Sequence, residues 1–64
     1  MNDTTTAIKE LVDTFLAENT KFDNGNAAAG TRARKALAEL TRLAKTRRSE
    51  ITVTKNERKA AKAE

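Results

Sequence analysis

The sequence predicts an all-α protein: an antiparallel helical hairpin of two long helices, followed by a short C-terminal helical or frayed basic tail. Three observations predict it. Proline is absent and glycine occurs only at Gly25 and Gly30 in the 64 residues, so little interrupts a helix. Apolar residues on both sides of Gly25 recur at three- and four-residue steps, the period of a helix face. Between them, Asp23-Asn24-Gly25-Asn26 is a turn signal, because Asn and Gly tolerate positive φ.

The first helix starts at Asn2, Asp3 or one of Thr4 to Thr6, all side chains that accept from free N–H groups at an N-cap. Ile8, Leu11, Val12, Phe15 and Phe22 trace a stripe with heptad-like spacing. Leu16 lies on its flank, and Glu18 and Asn19 interrupt it. The second helix begins near Asn26, a suitable N-cap, and runs to about Arg48. Ala33, Ala36, Leu37, Leu40, Leu43 and Ala44 fall on one of its faces. Gly30 lies in its first turns, where glycine costs about 1 kcal/mol relative to alanine. Two readings of Gly30 stay open: the close approach of another backbone or a phosphate, and a frayed start with the helix proper beginning at Thr31. At ~1.5 Å per residue both helices reach ~30–35 Å, so a short turn pairs them antiparallel along their length.

After Arg48 the pattern changes. Ser49-Glu50-Ile51-Thr52-Val53-Thr54 is rich in β-branched residues, which favour extended backbone. Thr54-Lys55-Asn56-Glu57 matches a capping box, and Arg58 to Glu64 continues with strong helix formers. The chain therefore divides into a hairpin module at 1–49 and, at 50–64, a connector with a short basic helix or tail. Ile51 and Val53 are expected to tack the connector onto the hairpin.

The large apolar residues are few, and no cysteine is present to staple the fold. Small chains of this kind usually recruit a second subunit, so self-association into a dimeric or tetrameric bundle is expected. Histidine, cysteine, tyrosine and tryptophan are all absent, which leaves acid–base or nucleophilic chemistry only carboxylates, lysines and hydroxyls. Glu10 and Asp13 lie one helical turn apart but lack a third metal ligand. No Gly-rich phosphate-binding motif occurs. No catalytic residue, metal site, cofactor or small-molecule substrate is expected. No apolar run approaches the ~18 residues of a membrane span, and the start Met-Asn-Asp-Thr lacks a signal peptide's basic and apolar segments. No membrane partner and a cytoplasmic location are the expectation.

The net charge is +4, unevenly spread. Residues 1–23 hold five acids against two lysines, a balance of −3; residues 24–64 hold eleven Lys/Arg against four glutamates, a balance of +7. Between Gly30 and Ser49 seven basic residues surround the single acid Glu39. Arg34, Lys35, Arg42, Lys45 and Arg48 fall opposite the apolar face, with Arg32 and Arg47 at the edges. Arg47 projects from the apolar face itself, its stem packed and its head reaching water. Lys55, Arg58, Lys59 and Lys62 continue the excess. A face built only for solubility would interleave glutamate for i,i+4 pairing, and arginine forks well onto phosphate. The expected partner is the phosphate backbone of double-stranded DNA, with RNA an open alternative. The two aromatics, Phe15 and Phe22, belong to the apolar stripe, which leaves no stacking platform for single strands. Binding driven by counterion release with little sequence preference is what remains. A different reading is a small helical protein-interaction or regulatory module whose basic face is incidental. Arg47-Arg48-Ser49 also resembles a basic-directed phosphorylation site, where phosphate would subtract charge.

Residues Gly25-Asn26-Ala27-Ala28-Ala29-Gly30-Thr31-Arg32-Ala33-Arg34-Lys35-Ala36-Leu37 resemble the signature of the bacterial linker-histone-like family, the chlamydial-type nucleoproteins and their short relatives. That pattern reads roughly G-N-K-A-A-G-x-R-A-R-K before a Leu-rich amphipathic helix. The resemblance covers about residues 7–50. It implies an α-helical module that binds and condenses DNA with little sequence preference, is associated with the nucleoid, and contacts DNA through Arg32, Arg34 and Lys35. Ala27 departs from the pattern, standing where lysine is common, and Lys55 to Glu64 stands in place of a longer Lys/Ala/Pro-rich tail.

Overall fold

The computed structural model describes residues 2–63, with side chains through Ala61. It contains helices α1 (Asp3–Asp23) and α2 (Ala27–Ala63), and no strand among the described residues. The all-α class is as predicted.

Asn2 begins α1. Its backbone is extended, and its side-chain oxygen accepts from the Thr5 N–H at 2.9 Å, satisfying a donor that has no partner within the helix. At the other end the Gly25 N–H donates to the Phe22 carbonyl at 2.9 Å and the Asn26 N–H to the Lys21 carbonyl at 3.0 Å. These two bonds make a Schellman closure. It requires positive φ at Gly25, which adopts +105°. Asn26 then caps α2, accepting from the Ala29 N–H at 3.1 Å.

The expected end of the second helix near Arg48 is corrected by the structure. α2 runs unbroken through 49–54, so there is no extended connector and no separate C-terminal helix. The physical reason is cooperativity: extending an existing helix avoids the cost of a new nucleus. The β-branched residues of 51–54 each carry a penalty well below that cost. Thr52 also adapts, its hydroxyl donating to the Arg48 carbonyl at 3.0 Å. The Thr54–Glu57 pattern caps nothing, because it lies inside the helix. Ile51 and Val53, expected to tack a connector down, are instead exposed.

The helices meet along two rows that step by four and three residues. On α1 the row is Thr4, Ile8, Leu11, Phe15, Glu18 and Phe22; on α2 it is Ala29, Ala33, Ala36, Leu40, Leu43, Arg47, Glu50 and Thr54. This is the spacing of a coiled-coil seam. The pairings join Thr4 with Glu50, Glu18 with Arg32, and Phe22 with Gly30. Among the described residues only Ala29, Ala33 and Ala36 are buried, and the Phe22 ring of α1 lies against Gly30 of α2. Beyond Glu50, residues 51–63 extend α2 past the start of α1 by about 20 Å at 1.5 Å per residue.

Neither reading of Gly30 holds in full. The helix starts at Ala27, so its beginning is not frayed to Thr31, and the close neighbour is a side chain, not a backbone. A Cβ at Gly30 would lie 2.5 Å from Phe22 Cδ1 and 2.8 Å from Cε1. In a Phe22→Ala background, Gly30→Ala should stabilise the fold by about 1 kcal/mol, the helix-propensity gain. With Phe22 present the ring must move, and the gain shrinks or reverses. Chemical denaturation of the four proteins measures the difference; equal effects in both backgrounds would dismiss the contact.

Candidate nucleic-acid interface

The seam fixes where the cations of α2 point. At ~100° per residue, Arg34, Lys35, Arg42, Lys45 and Arg48 occupy an arc of roughly 140° centred opposite the seam. All five are exposed, as is Arg32, while Arg47 is half-buried in the seam row. Lys55, Arg58 and Lys59 are exposed on the part of α2 that outruns α1. The side chain of Lys62, also expected to contact DNA, lies outside the described residues.

Ion pairing divides the set. Arg32 Nε donates to Glu18 Oε2 at 2.8 Å, across the two helices, and the Glu18 side chain is only 14% exposed. This bond uses Nε and leaves out the two terminal nitrogens of the guanidinium. Arg47 Nη1 meets Glu50 Oε1 at 3.0 Å, and Glu50 also accepts from the Thr4 hydroxyl at 2.8 Å. Arg32 therefore joins the two helices directly, whereas Arg47 acts within α2, on the carboxylate that Thr4 reaches from α1. Arg42 Nη2 pairs with Glu39 at 3.1 Å within one turn of α2, an exposed contact of little worth that water or another anion readily replaces. Arg34, Lys35, Lys45 and Arg48 form no ion pair among the described residues. Their ammonium and guanidinium groups face solvent uncompensated.

The two seam carboxylates are held ionised. The Arg32 hydrogen bond, opposed by partial burial and assisted by the charges of Arg32 and Lys21, keeps Glu18 below its ordinary value. The Thr4 hydroxyl and then the Arg47 guanidinium do the same for Glu50. Sequence reasoning treated Glu18 as an interruption of the apolar stripe. Its place in the four-three steps between Phe15 and Phe22 was the signal that it belongs to the seam. Glu50 and Thr4 occupy the same rows and were likewise missed. No cluster of three or more metal-ligating side chains occurs among the described residues, and no helix is long and apolar enough to cross a membrane.

Residues 2–57 match the family described as histone H1-like protein Hc1. The chain belongs to that family. The Hc1 family is chlamydial-type and histone-like, and its members have a DNA-binding, nucleoid role in general terms. It is a DNA-packaging family, not an enzymatic one. No curated protein and no solved structure matches the chain significantly. The Hc1 match spans α1, the Asn-Gly turn and α2 as far as residue 57.

A carboxylate whose pKa is depressed on folding contributes stability above its unfolded value and loses it as pH falls through the folded value. For Glu18 and Glu50 that loss lies below the ordinary 4.5. The melting temperature should therefore fall as acid is added below this value. The E18Q/E50Q double variant should melt lower than wild type at pH 7 and lose less on acidification. Melting curves followed by circular dichroism across the pH series provide the check.

Proposed function

We propose that this Hc1 family member binds duplex DNA through phosphate contacts made by the outer face of α2, with little sequence preference, and contributes to DNA compaction in the nucleoid. One observation carries the reading: Arg34, Lys35, Lys45 and Arg48 are unpaired and lie on the face turned away from α1. Arg42 joins them once it exchanges Glu39 for phosphate. Lys35 and Arg42 lie toward one edge of the arc, Arg34 and Arg48 toward the other, with Lys45 between. An α-helix fits a major groove about 12 Å wide, so this spread reaches phosphates on both walls. From Arg34 to Arg48 the track is about 21 Å long at 1.5 Å per residue.

The two helices act in this proposal as one antiparallel hairpin, supported by the pairings of Thr4 with Glu50 and Glu18 with Arg32. α1 is the acidic buttress and α2 the reader of charge. Arg32 takes both roles, its Nε on Glu18 and its terminal nitrogens available to phosphate. Arg47 is structural. Lys55, Arg58 and Lys59 lengthen the track along the overhang, and Lys62 continues the same charge pattern in sequence. Compaction needs an assembly that holds more than one DNA segment, so self-association is part of the reading. Cations alone do not separate DNA from RNA; an A-form duplex, with its deep and narrow major groove, should bind more weakly.

The quadruple variant R34Q/K35Q/K45Q/R48Q is the direct test. Each lost phosphate contact should reduce the slope of log K against log salt by about 0.9, so the variant slope should be shallower by about 3.6. Titrations against two unrelated DNA duplexes should show the same loss for both. Unchanged affinity for either would refute the assignment. Arg47→Gln, by contrast, should lower the melting temperature while leaving the salt slope within about one contact of wild type.

A further inference from the structure

Ser49 combines a free hydroxyl with cations on its N-terminal side. It is exposed. At ~100° per residue it falls inside the cation arc, between the directions of Lys45, one turn earlier, and Arg42, two turns earlier. Lys45, Arg48, Ser49, Thr52 and Val53 line a single open groove on that face. The neighbouring threonines are tied back to the helix. The hydroxyls of Thr41, Thr46 and Thr52 donate to the carbonyls of Leu37, Arg42 and Arg48 at 3.0, 3.3 and 3.0 Å. The Ser49 hydroxyl forms no hydrogen bond among the described residues. Thr31, also on the outer face, has no Lys or Arg among residues 24–30 before it, and Thr54 is half-buried in the seam row.

Basic residues ahead of a hydroxyl are what a basic-directed protein kinase grips with its own carboxylates. Lys45, Arg47 and Arg48 stand four, two and one residues before Ser49. A kinase takes its substrate as extended chain, so α2 must open locally around Ser49. Little opposes this. Residues 47–54 include no buried side chain, and the side-chain bonds broken are Thr4 to Glu50 and Arg47 to Glu50. Ile51, Thr52, Val53 and Thr54 lower the helix preference just after the site. The buried row of Ala29, Ala33 and Ala36 lies about three turns away or more and keeps α1 against α2 during the opening.

We infer that Ser49 is a phosphorylation site for a basic-directed serine/threonine kinase, and that phosphate there weakens the grip of α2 on DNA. The Ser49 Oγ attacks the γ-phosphorus of ATP held by the kinase. The Oγ–P bond forms as the bond from that phosphorus to the bridging oxygen breaks. ADP leaves, and the hydroxyl proton passes to a base of the kinase. The product carries a charge of about −1.5 to −2 at pH 7 and three strong acceptor oxygens. Lys45 and Arg48 share its groove and hold no ion pair among the described residues. They are the cations that the phosphate engages, and both belong to the proposed DNA track. Phosphorylation thus withdraws two contacts and sets a like charge against the DNA backbone. The effect on DNA rests on the proposed function; the site itself does not.

Extract of the cells that make the protein, supplied with γ-labelled ATP, provides the kinase. The full chain should acquire label on Ser49, located by mass spectrometry, and Ser49→Ala should acquire none. R47Q/R48Q should be labelled more slowly by about tenfold or more, the scale of one lost charged hydrogen bond. Unfolding does not mimic that result, because a looser helix offers Ser49 more readily. A full chain synthesised with phosphoserine at position 49 should bind duplex DNA with a salt slope shallower by about 1.8, two contacts at about 0.9 each. Phosphatase should restore the slope. An unlabelled full chain, a Ser49→Ala chain labelled as strongly, an R47Q/R48Q chain labelled at the wild-type rate, or a phosphoserine chain with the wild-type slope would each overturn the inference. Absence of salt-dependent binding by the unmodified chain would instead count against the proposed function, and the labelling, which involves no DNA, would stand by itself.

Discussion

The close fit of α1 onto the alanine row of α2 is the constraint on which the molecule depends. Ala29, Ala33 and Ala36 are the only buried residues among those described, and side chains this small let the two helices approach closely. Gly30 extends the same device by one position, since any side chain there would meet Phe22. A seam of small residues brings helices close but removes little apolar surface from water. The fold is therefore narrow and held at its edges by polar contacts more than by a core.

Those polar contacts explain why a chain so rich in arginine does not present all of its cations alike. Glu18 and Glu50 are spaced along the seam rather than on the outer surface, and they draw Arg32 and Arg47 inward. Carboxylates in the seam set the register of the helix pair, because a slip along its length would part Glu18 from Arg32 and Glu50 from Thr4. On the outer arc of α2, Arg42 with Glu39 is the one ion pair among the described residues. The sequence makes α1 acidic and α2 basic, and the packing decides which of those charges meet.

Much of this was legible in the residues. Proline-free periodic segments around Asn24-Gly25 announced two helices and the turn between them, and the cation face follows from the same period. What escaped was of two kinds. Local preference at Ser49 to Thr54 argued for extended chain, but an already wound helix on one side and alanine-rich sequence on the other outweighed it. The second kind was the polar seam. Glu18 and Glu50 look like faults in an apolar stripe until the facing helix supplies Arg32 for the one and Thr4 for the other, and Arg47 until Glu50, one turn on in the same helix, pairs with it. Leu37 and Ala44 share the broad apolar face of α2 but lie to the side of the seam and are exposed, because they follow the seam residues Ala36 and Leu43 by one position, about 100° around the helix.

The stretch of α2 past Thr54 lies beyond the row in which it meets α1, and its winding is sustained by its own backbone bonds. Such a segment winds and unwinds by single turns instead of switching as a unit. Lys55, Arg58 and Lys59 sit on it in succession. The charge held in rigid register is then a continuously adjustable quantity, set by temperature, ionic conditions and whatever anion lies alongside, like a rheostat attached to a fixed clamp.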